Sequence, residues 1–302
     1  MSLPIVYHPD YMAPLRPGHR FPMSKYGYLR AALVARGLLP ATGGYLCPAP
    51  ARTGQVAAVH EIGYVERVAE ARLTAEEARR IGLPSTPAVA RRAFLSAAGT
   101  LLAARLALEH GIACNMAGGS HHAGPEGGAG FCVFNDVAVA ARALLDEGLV
   151  RRVLILDLDV HQGDGTARVF ADEPGALTLS LHAERNYPAR KAVSDLDFPL
   201  PDGLRDAAYL ETLDQALAAA AAFTPDFVFY NAGVDPHRAD RLGRLGLSDA
   251  GLRARDAGAL GWARTRGLPV AGVLGGGYDD DPERLAARHA ILFEEAARLV
   301  AA

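Results

Sequence analysis

Two stretches of the chain concentrate residues that can do chemistry. Residues 154–165 read Leu-Ile-Leu-Asp-Leu-Asp-Val-His-Gln-Gly-Asp-Gly, an apolar run that ends in Asp157, Asp159, His161 and Asp164. A buried strand sends alternate side chains to one face, so this spacing lets Asp157, Asp159 and His161 project together. Carboxylates at the end of a buried strand are costly unless a positive partner meets them. A divalent metal is the simplest such partner, and a mixed Asp/His set suits zinc. Helix capping by the same residues explains one aspartate and leaves the other acids and the histidine unexplained. The second stretch, residues 118–125, reads Gly-Gly-Ser-His-His-Ala-Gly-Pro and places His121 and His122 side by side in a glycine-rich loop. Adjacent imidazoles can ligate a metal or form a general acid/base pair, and they can equally be incidental residues of a solvated loop.

A catalytic zinc usually keeps three protein ligands and one open position. Asp159 and His161 supply two, and Asp235, in Asn231-Ala-Gly-Val-Asp235, is the candidate third. Hydrolysis at a metal needs a base beside the attacking water. A carboxylate that fixes the tautomer of that base helps it. Asp157 and Asp164 are free to orient His121 and His122 in this way. Strand geometry alone does not choose Asp159 over Asp157 as the ligand. Gly275-Gly276-Gly277-Tyr278 lacks the Gly-Lys-Ser/Thr ending of a phosphate loop. Its glycines allow close backbone approach, and Tyr278 offers a phenol that can stabilise an oxyanion. Gly130-Phe131-Cys132 supplies an aromatic to wall an apolar slot or to anchor its own loop.

The elements that must position these groups follow from the hydrophobic pattern. Apolar runs at 153–160, 177–181, 227–230 and 270–274 read as buried strands, each followed by polar or glycine-rich residues. Helical patterns span 24–36, 87–109, 135–147, 207–222, 248–265 and 282–299, with Thr86-Pro87 as a helix start and Gly267 as a stop. Alternating strands and helices predict an α/β fold with a central, mostly parallel sheet flanked by helices on both faces. In such sheets ligands bind beyond the carboxyl ends of the strands. The candidate residues follow predicted strands there, so positions distant in sequence converge on one rim.

With 302 residues, half of them hydrophobic, the chain can bury a large core, and no linker-like stretch divides it, so a single domain over 1–302 is expected. The net charge of −3 does not suggest an electrostatic nucleic-acid binder. Cys47, Cys114 and Cys132 form no C-x-x-C pair, and an odd count suits a reducing compartment. No secretory signal and no long apolar segment is visible, so a cytoplasmic setting without membrane contact is expected, the nucleus being left open. The oligomeric state is not legible.

Taken together these motifs resemble the zinc-dependent histone deacetylase family, within the arginase–deacetylase fold. The carrying residues are Gly-Gly-Ser-His121-His122-Ala-Gly-Pro, Gly130-Phe131-Cys132, Asp157-Leu-Asp159-Val-His161-Gln-Gly-Asp164-Gly, Asn231-Ala-Gly-Val-Asp235 and Gly275-Gly-Gly-Tyr278. Tyr7 to Tyr11, His19 to Tyr26 and Asp240-Arg241-Leu242-Gly243 are similar to the class IV branch and its bacterial relatives. The resemblance implies one catalytic Zn²⁺ on Asp159, His161 and Asp235. It implies His122 as general base backed by Asp164, His121 backed by Asp157 as a protonated partner, and Tyr278 as holder of the oxyanion. Gly130 and Phe131 would line the acyl-lysine channel, and Arg20 would face the inner cavity that receives the released acyl product. A structural K⁺ would sit beside the zinc strand on Asp157, Ser180 and the backbone carbonyls of Asp159, His161 and Leu181. One departure is Gln162, where the common motif has histidine; on a strand it would point away from the site at little cost. The family's second channel aromatic has no obvious match in 182–190.

The reaction so implied is removal of an acyl group from acyl-lysine in a protein or peptide by attack of metal-activated water. The alternatives are a small-molecule deacylase such as an acetylpolyamine amidohydrolase, a catalytically silent acyl-lysine-binding protein, and an arginase-like dimanganese hydrolase, which needs more Asp/His ligands than are present.

Overall fold

A computed structural model describes residues 2–301. Its strands are β1 (Ile5–Val6), β2 (Ile112–Asn115), β3 (Val153–Asp157), β4 (Ala176–Ala183), β5 (Leu196–Leu200), β6 (Phe227–Asn231) and β7 (Val270–Val273). They form one seven-stranded sheet in the order β1-β2-β7-β6-β3-β4-β5, every neighbouring pair parallel. The central strands read as near-continuous apolar runs because both faces are covered. Every residue of β2, β3, β6 and β7 is buried.

The helices are α1 (Lys25–Ala35), α2 (Thr53–Val56), α3 (Ile62–Ala69), α4 (Ala75–Ile81), α5 (Pro87–His110), α6 (Asp136–Asp146), α7 (Asp164–Val169), α8 (Asp206–Ala221), α9 (Asp249–Thr265) and α10 (Pro282–Ala301). They flank the sheet: α5 packs on β1, β2, β7 and α6, α8 on β4, β5 and α9, and α10 on β2, α1 and α9. The six predicted long helices are present, each within two residues of its expected ends. Thr86 caps α5 by accepting from Val89 N at 3.3 Å, with Pro87 in the first turn, and Gly267 follows α9 at φ 68°. None of the described helices is long and apolar enough to cross a membrane.

Three strands escaped the hydrophobic pattern. β1 is two residues long, β2 follows α5 after Gly111 alone, and β5 carries Pro199. Proline is tolerated there because β5 is an edge strand and owes no hydrogen bond on its outer side. The larger correction concerns 153–160. The strand stops at Asp157, because the carboxylates beyond it recruit their own backbone: Asp157 Oδ1 accepts from Asp159 N at 3.2 Å, and Asp159 Oδ1 from His161 N at 3.0 Å. Such side-chain-to-backbone bonds compete with the sheet ladder. Asp159 and His161 are therefore presented by successive turns, not by strand alternation.

Register sets the rim. Asp157 pairs with Asn231 on one side and Ser180 on the other, and Asn231 pairs with Val273. The carboxyl ends of β4, β3, β6 and β7 thus stand side by side, where an open parallel sheet binds its ligands.

Candidate active site

Asp159, His161 and Asp235 converge, their ligand atoms lying within 4.8 Å of one another. His161 Nδ1 is 3.0 Å from Asp159 Oδ1 and 3.2 Å from Asp235 Oδ2. The glycine loop and the turn after β3 hold the carboxylates: Gly276 N donates to Asp159 Oδ2 at 2.6 Å and Val160 N to Asp235 Oδ1 at 2.8 Å. A Cβ on residue 276 would lie 2.0 Å from Asp235 Oδ2, so only glycine permits this approach. The fully buried Arg255 braces the same turns from behind, donating to the carbonyls of Leu158 at 3.2 Å and Gly233 at 2.5 Å.

This donor set fits a divalent cation. Asp235 Oδ2 is buried with no hydrogen-bond donor, although His161 stands beside it at poor bonding geometry. A buried carboxylate oxygen without a donor is costly unless a cation meets it. The two carboxylates already draw positive charge here: burial opposes a charged imidazole, yet Asp159 and Asp235 lift His161 to about 10. One nitrogen and two carboxylates make a three-ligand set of the kind catalytic zinc uses.

Facing this cluster are two His–Asp pairs. Asp136, at the start of α6, pins their loop by accepting from Gly119 N at 3.1 Å and Ser120 N at 2.8 Å. His121 Nδ1 lies 2.6 Å from Asp157 Oδ2, and His122 Nδ1 lies 2.7 Å from Asp164 Oδ1. The two imidazoles lie 4.1 Å apart between centroids. Asn231 donates to Asp157 Oδ1 at 2.9 Å, and Arg168, one turn along α7, donates to Asp164 Oδ2 at 2.6 Å.

The pairs are electrostatically unequal. Burial works against charge on His121, but Asp157 and Asp159 prevail and raise it to about 9. Burial, with the charge of His121 alongside, drives His122 down to about 3. Burial would also raise Asp164, yet its bonds to His122 and Arg168 keep it below the usual carboxylate range. Near neutral pH one imidazole is charged and its neighbour is neutral.

Tyr278 stands on the far side of His161, ring centroids 6.4 Å apart. Asp240 fixes it by accepting from Tyr278 N at 2.6 Å, while its other oxygen accepts from Leu242 N and Gly243 N. Phe131 packs against Phe21 and Tyr278 and adopts φ 68°, an uncommon conformation for a bulky residue. Its amide donates to Ile81 O at 2.6 Å, so the end of α4 holds it there. Phe131, Gly130, His122, His161 and Tyr278 line a cavity of ≈ 430 Å³ that opens to solvent.

Tyr187, which sequence reasoning left unplaced, supplies the opposite wall. Its ring meets His122 edge-on at 4.7 Å between centroids. Arg20 is not at the inner end as expected; it is exposed and lines the mouth. Arg92 of α5 lines the inner recess instead, beside Tyr26, Ser120 and Cys132, and donates to Tyr11 O and the Tyr26 hydroxyl. Sequence reasoning missed Arg92 because it is one arginine in a long helix; only the topology turns it inward. Cys132 is buried, which pushes its thiol well above the usual range and disfavours the reactive thiolate.

Ser180 and Leu181 lie on β4 beside Asp157. The Ser180 hydroxyl is 3.0 Å from His182 Nδ1, and both Asp157 oxygens already have partners. Gln162, expected to point away harmlessly, is buried and bonds to Ala192 and to Asp197 of β5.

Residues 19–293 match the family model described as the histone deacetylase domain. An uncharacterized protein of Picosynechococcus sp. is 46% identical over 98% of this chain and 99% of its own length. Histone deacetylase 2 of Arabidopsis thaliana is 37% identical over 63% of the chain and 50% of its own length. A probable deacetylase of Archaeoglobus fulgidus is 34% identical over 62% of the chain and 56% of its own length. The matches thus span about half the length of these two named relatives. Among solved structures, the HDA15 HD domain has a TM-score of 0.83 at 24% identity, covering 99% of this chain and 89% of that one. An acetylpolyamine aminohydrolase from Burkholderia pseudomallei has a TM-score of 0.78 at 24% identity, covering 99% of both chains. The likeness to the solved structures concerns the fold, and the family match runs from His19 past Tyr278, taking in both His–Asp pairs and the Asp/His cluster: the chain belongs to the histone deacetylase family.

Proposed function

We propose that residues 1–302 form one catalytic domain of a zinc-dependent amidohydrolase that removes an acyl group from the ε-nitrogen of lysine in a protein or peptide. The observation that carries this reading is the pair of unequal His–Asp dyads facing the Asp159–His161–Asp235 cluster, with Tyr278 on its other side. Those three residues would hold the metal, which supplies Lewis acidity toward the acyl carbonyl and toward water.

The chain's own residues supply the rest. His122 presents Nε2 to the cavity, because Nδ1 is engaged by Asp164, and as the neutral imidazole it takes a proton from the attacking water. Asp164 fixes that tautomer. His121 stays protonated against Asp157 and lends positive charge to the developing oxyanion. The Tyr278 hydroxyl donates to the same oxygen. Gly130, Phe131 and Tyr187 enclose the lysine stem, and Arg92 faces the recess behind the reacting centre. The proton taken by His122 then passes to the amine nitrogen as the C–N bond breaks, which releases the free amine and the carboxylate. A cytoplasmic setting suits the free thiols.

Turnover of lysine peptides carrying acyl groups from acetyl to long fatty acyl, measured beside acetylated polyamines, tests the reading. Activity on peptides that chelator abolishes and zinc restores is expected. Turnover of polyamines alone would assign a small-molecule deacylase. A metal-loaded protein that binds acyl-lysine without turnover would assign a binding module.

A further inference from the structure

The mouth of the cavity is basic and carries no acid. Arg16, Arg20, Arg79 and Arg80 line it together with His19, and among the described residues no aspartate or glutamate does. The four arginines are solvent-exposed, and none has a carboxylate within ion-pair distance among the described residues. They come from two separate segments: Arg16 and Arg20 from the loop before α1, Arg79 and Arg80 from the last turn of α4. A basic last turn also complements a helix dipole, and Arg80 Nε donates to Gly128 O at 2.9 Å. That accounts for α4 and leaves Arg16 and Arg20, on a different segment, facing the same opening. The chain as a whole carries a net charge of −3, so the positive mouth runs against its average.

We infer that the site selects acyl-lysines whose neighbours in the substrate chain are acidic. The inference rests on the lysine deacylase reading above and names its substrate class. The acyl group and lysine stem enter past Phe131 and Tyr187, so the residues flanking the lysine lie against the arginines. Arginine pairs with carboxylates through a planar, two-pronged donor and keeps its charge at any physiological pH. A cleft lined by one sign of charge also concentrates and steers the oppositely charged partner. The same field repels a polycation, which sets this mouth against acetylated polyamines.

Three peptides with one acyl-lysine and acidic, neutral or basic flanks provide the test. The expected order of kcat/KM is acidic, neutral, basic, with about a tenfold or greater spread at low ionic strength that narrows as salt screens the mouth. Replacing Arg16 and Arg79 together by glutamate is expected to reverse the order, a ratio that partial loss of folded protein does not change. Equal kcat/KM for all three peptides, or an order untouched by salt and by R16E/R79E, overturns the inference while the lysine reading stands. Turnover of none of them, with acetylated polyamine consumed, overturns both.

Discussion

Gln162 Nε2 donates to Asp197 Oδ1 at 2.8 Å, joining the turn after β3 that presents Asp159 and His161 to the far end of the segment that carries Tyr187. The same amide donates to Ala192 O at 2.9 Å and accepts from Ala192 N at 2.8 Å. A buried amide with three partners leaves groups unsatisfied when removed, at about 1–3 kcal/mol. Gln162→Ala is therefore expected to lower unfolding stability by about that amount, measured by denaturant titration. Because Tyr187 walls the channel on this segment, KM for acyl-lysine peptide should rise more than kcat falls. Unchanged stability would show that the segment is held by other contacts.

His60 provides a pH-dependent brace. Its Nδ1 donates to Gly124 O at 2.8 Å and its Nε2 accepts from Asn135 N at 3.0 Å, tying the histidine loop to the start of α6. Only the neutral ring can accept at Nε2, so protonation breaks the bond to Asn135 N. Burial lowers this histidine from 6.5 to about 4. Between those values the unfolded chain binds more protons than the folded one, so the contribution is full above pH 6.5 and is lost as pH falls toward 4. The loss amounts to about 3 kcal/mol at most. His60→Ala should be less stable at pH 7.5 and show a shallower decline between pH 6.5 and 4, as read by thermal unfolding across that range.

Much of this site was legible in the sequence because its chemistry is local. Asp157 to Asp164 and Gly118 to Pro125 keep their acids and histidines within short, glycine-punctuated stretches, and the apolar runs before them mark where the sheet ends. What was not legible depends on distance. Tyr187 is an ordinary exposed tyrosine in sequence, and only the turn after β4 brings it against His122. Arg92 lines the recess where Arg20 was expected, because no local pattern says which arginine a fold turns inward. The extent of β3 was misjudged because hydrophobic alternation ignores the carboxylates that capture their own backbone. β1 and β5 are edge strands, where the apolar signal is weakest.

Asp235 tests the metal cluster without reference to turnover. Its Oδ2 is buried and lacks a donor, so a bound cation should stabilise the folded chain by mass action. Zinc added to metal-free protein is expected to raise the Tm, with about one equivalent retained after dialysis. In Asp235→Asn one anionic ligand is gone, and both the Tm increment and the retained zinc should fall sharply. The metal-free variant should be as stable as the metal-free parent or more so, since a buried carboxylate beside Asp159 has been neutralised. Full zinc retention by the variant would remove Asp235 from the ligand set.

Tyr278 tests the oxyanion role. Its backbone is fixed by Asp240 and its ring packs on Phe131, so Tyr278→Phe preserves both and removes only the hydroxyl. The ring sits in a pocket where burial raises the phenol well above its usual range, reinforced by Asp235 and Asp159. It therefore stays protonated and able to donate throughout the working pH range. A donor directed at charge that develops only in the transition state acts on kcat, not on KM. Its removal is expected to lower kcat by about two to three orders of magnitude. KM, zinc content and Tm should stay near those of the parent. Near-parental kcat on an acyl-lysine peptide would reassign the oxyanion contact to His121, which lines the inner recess together with Tyr278.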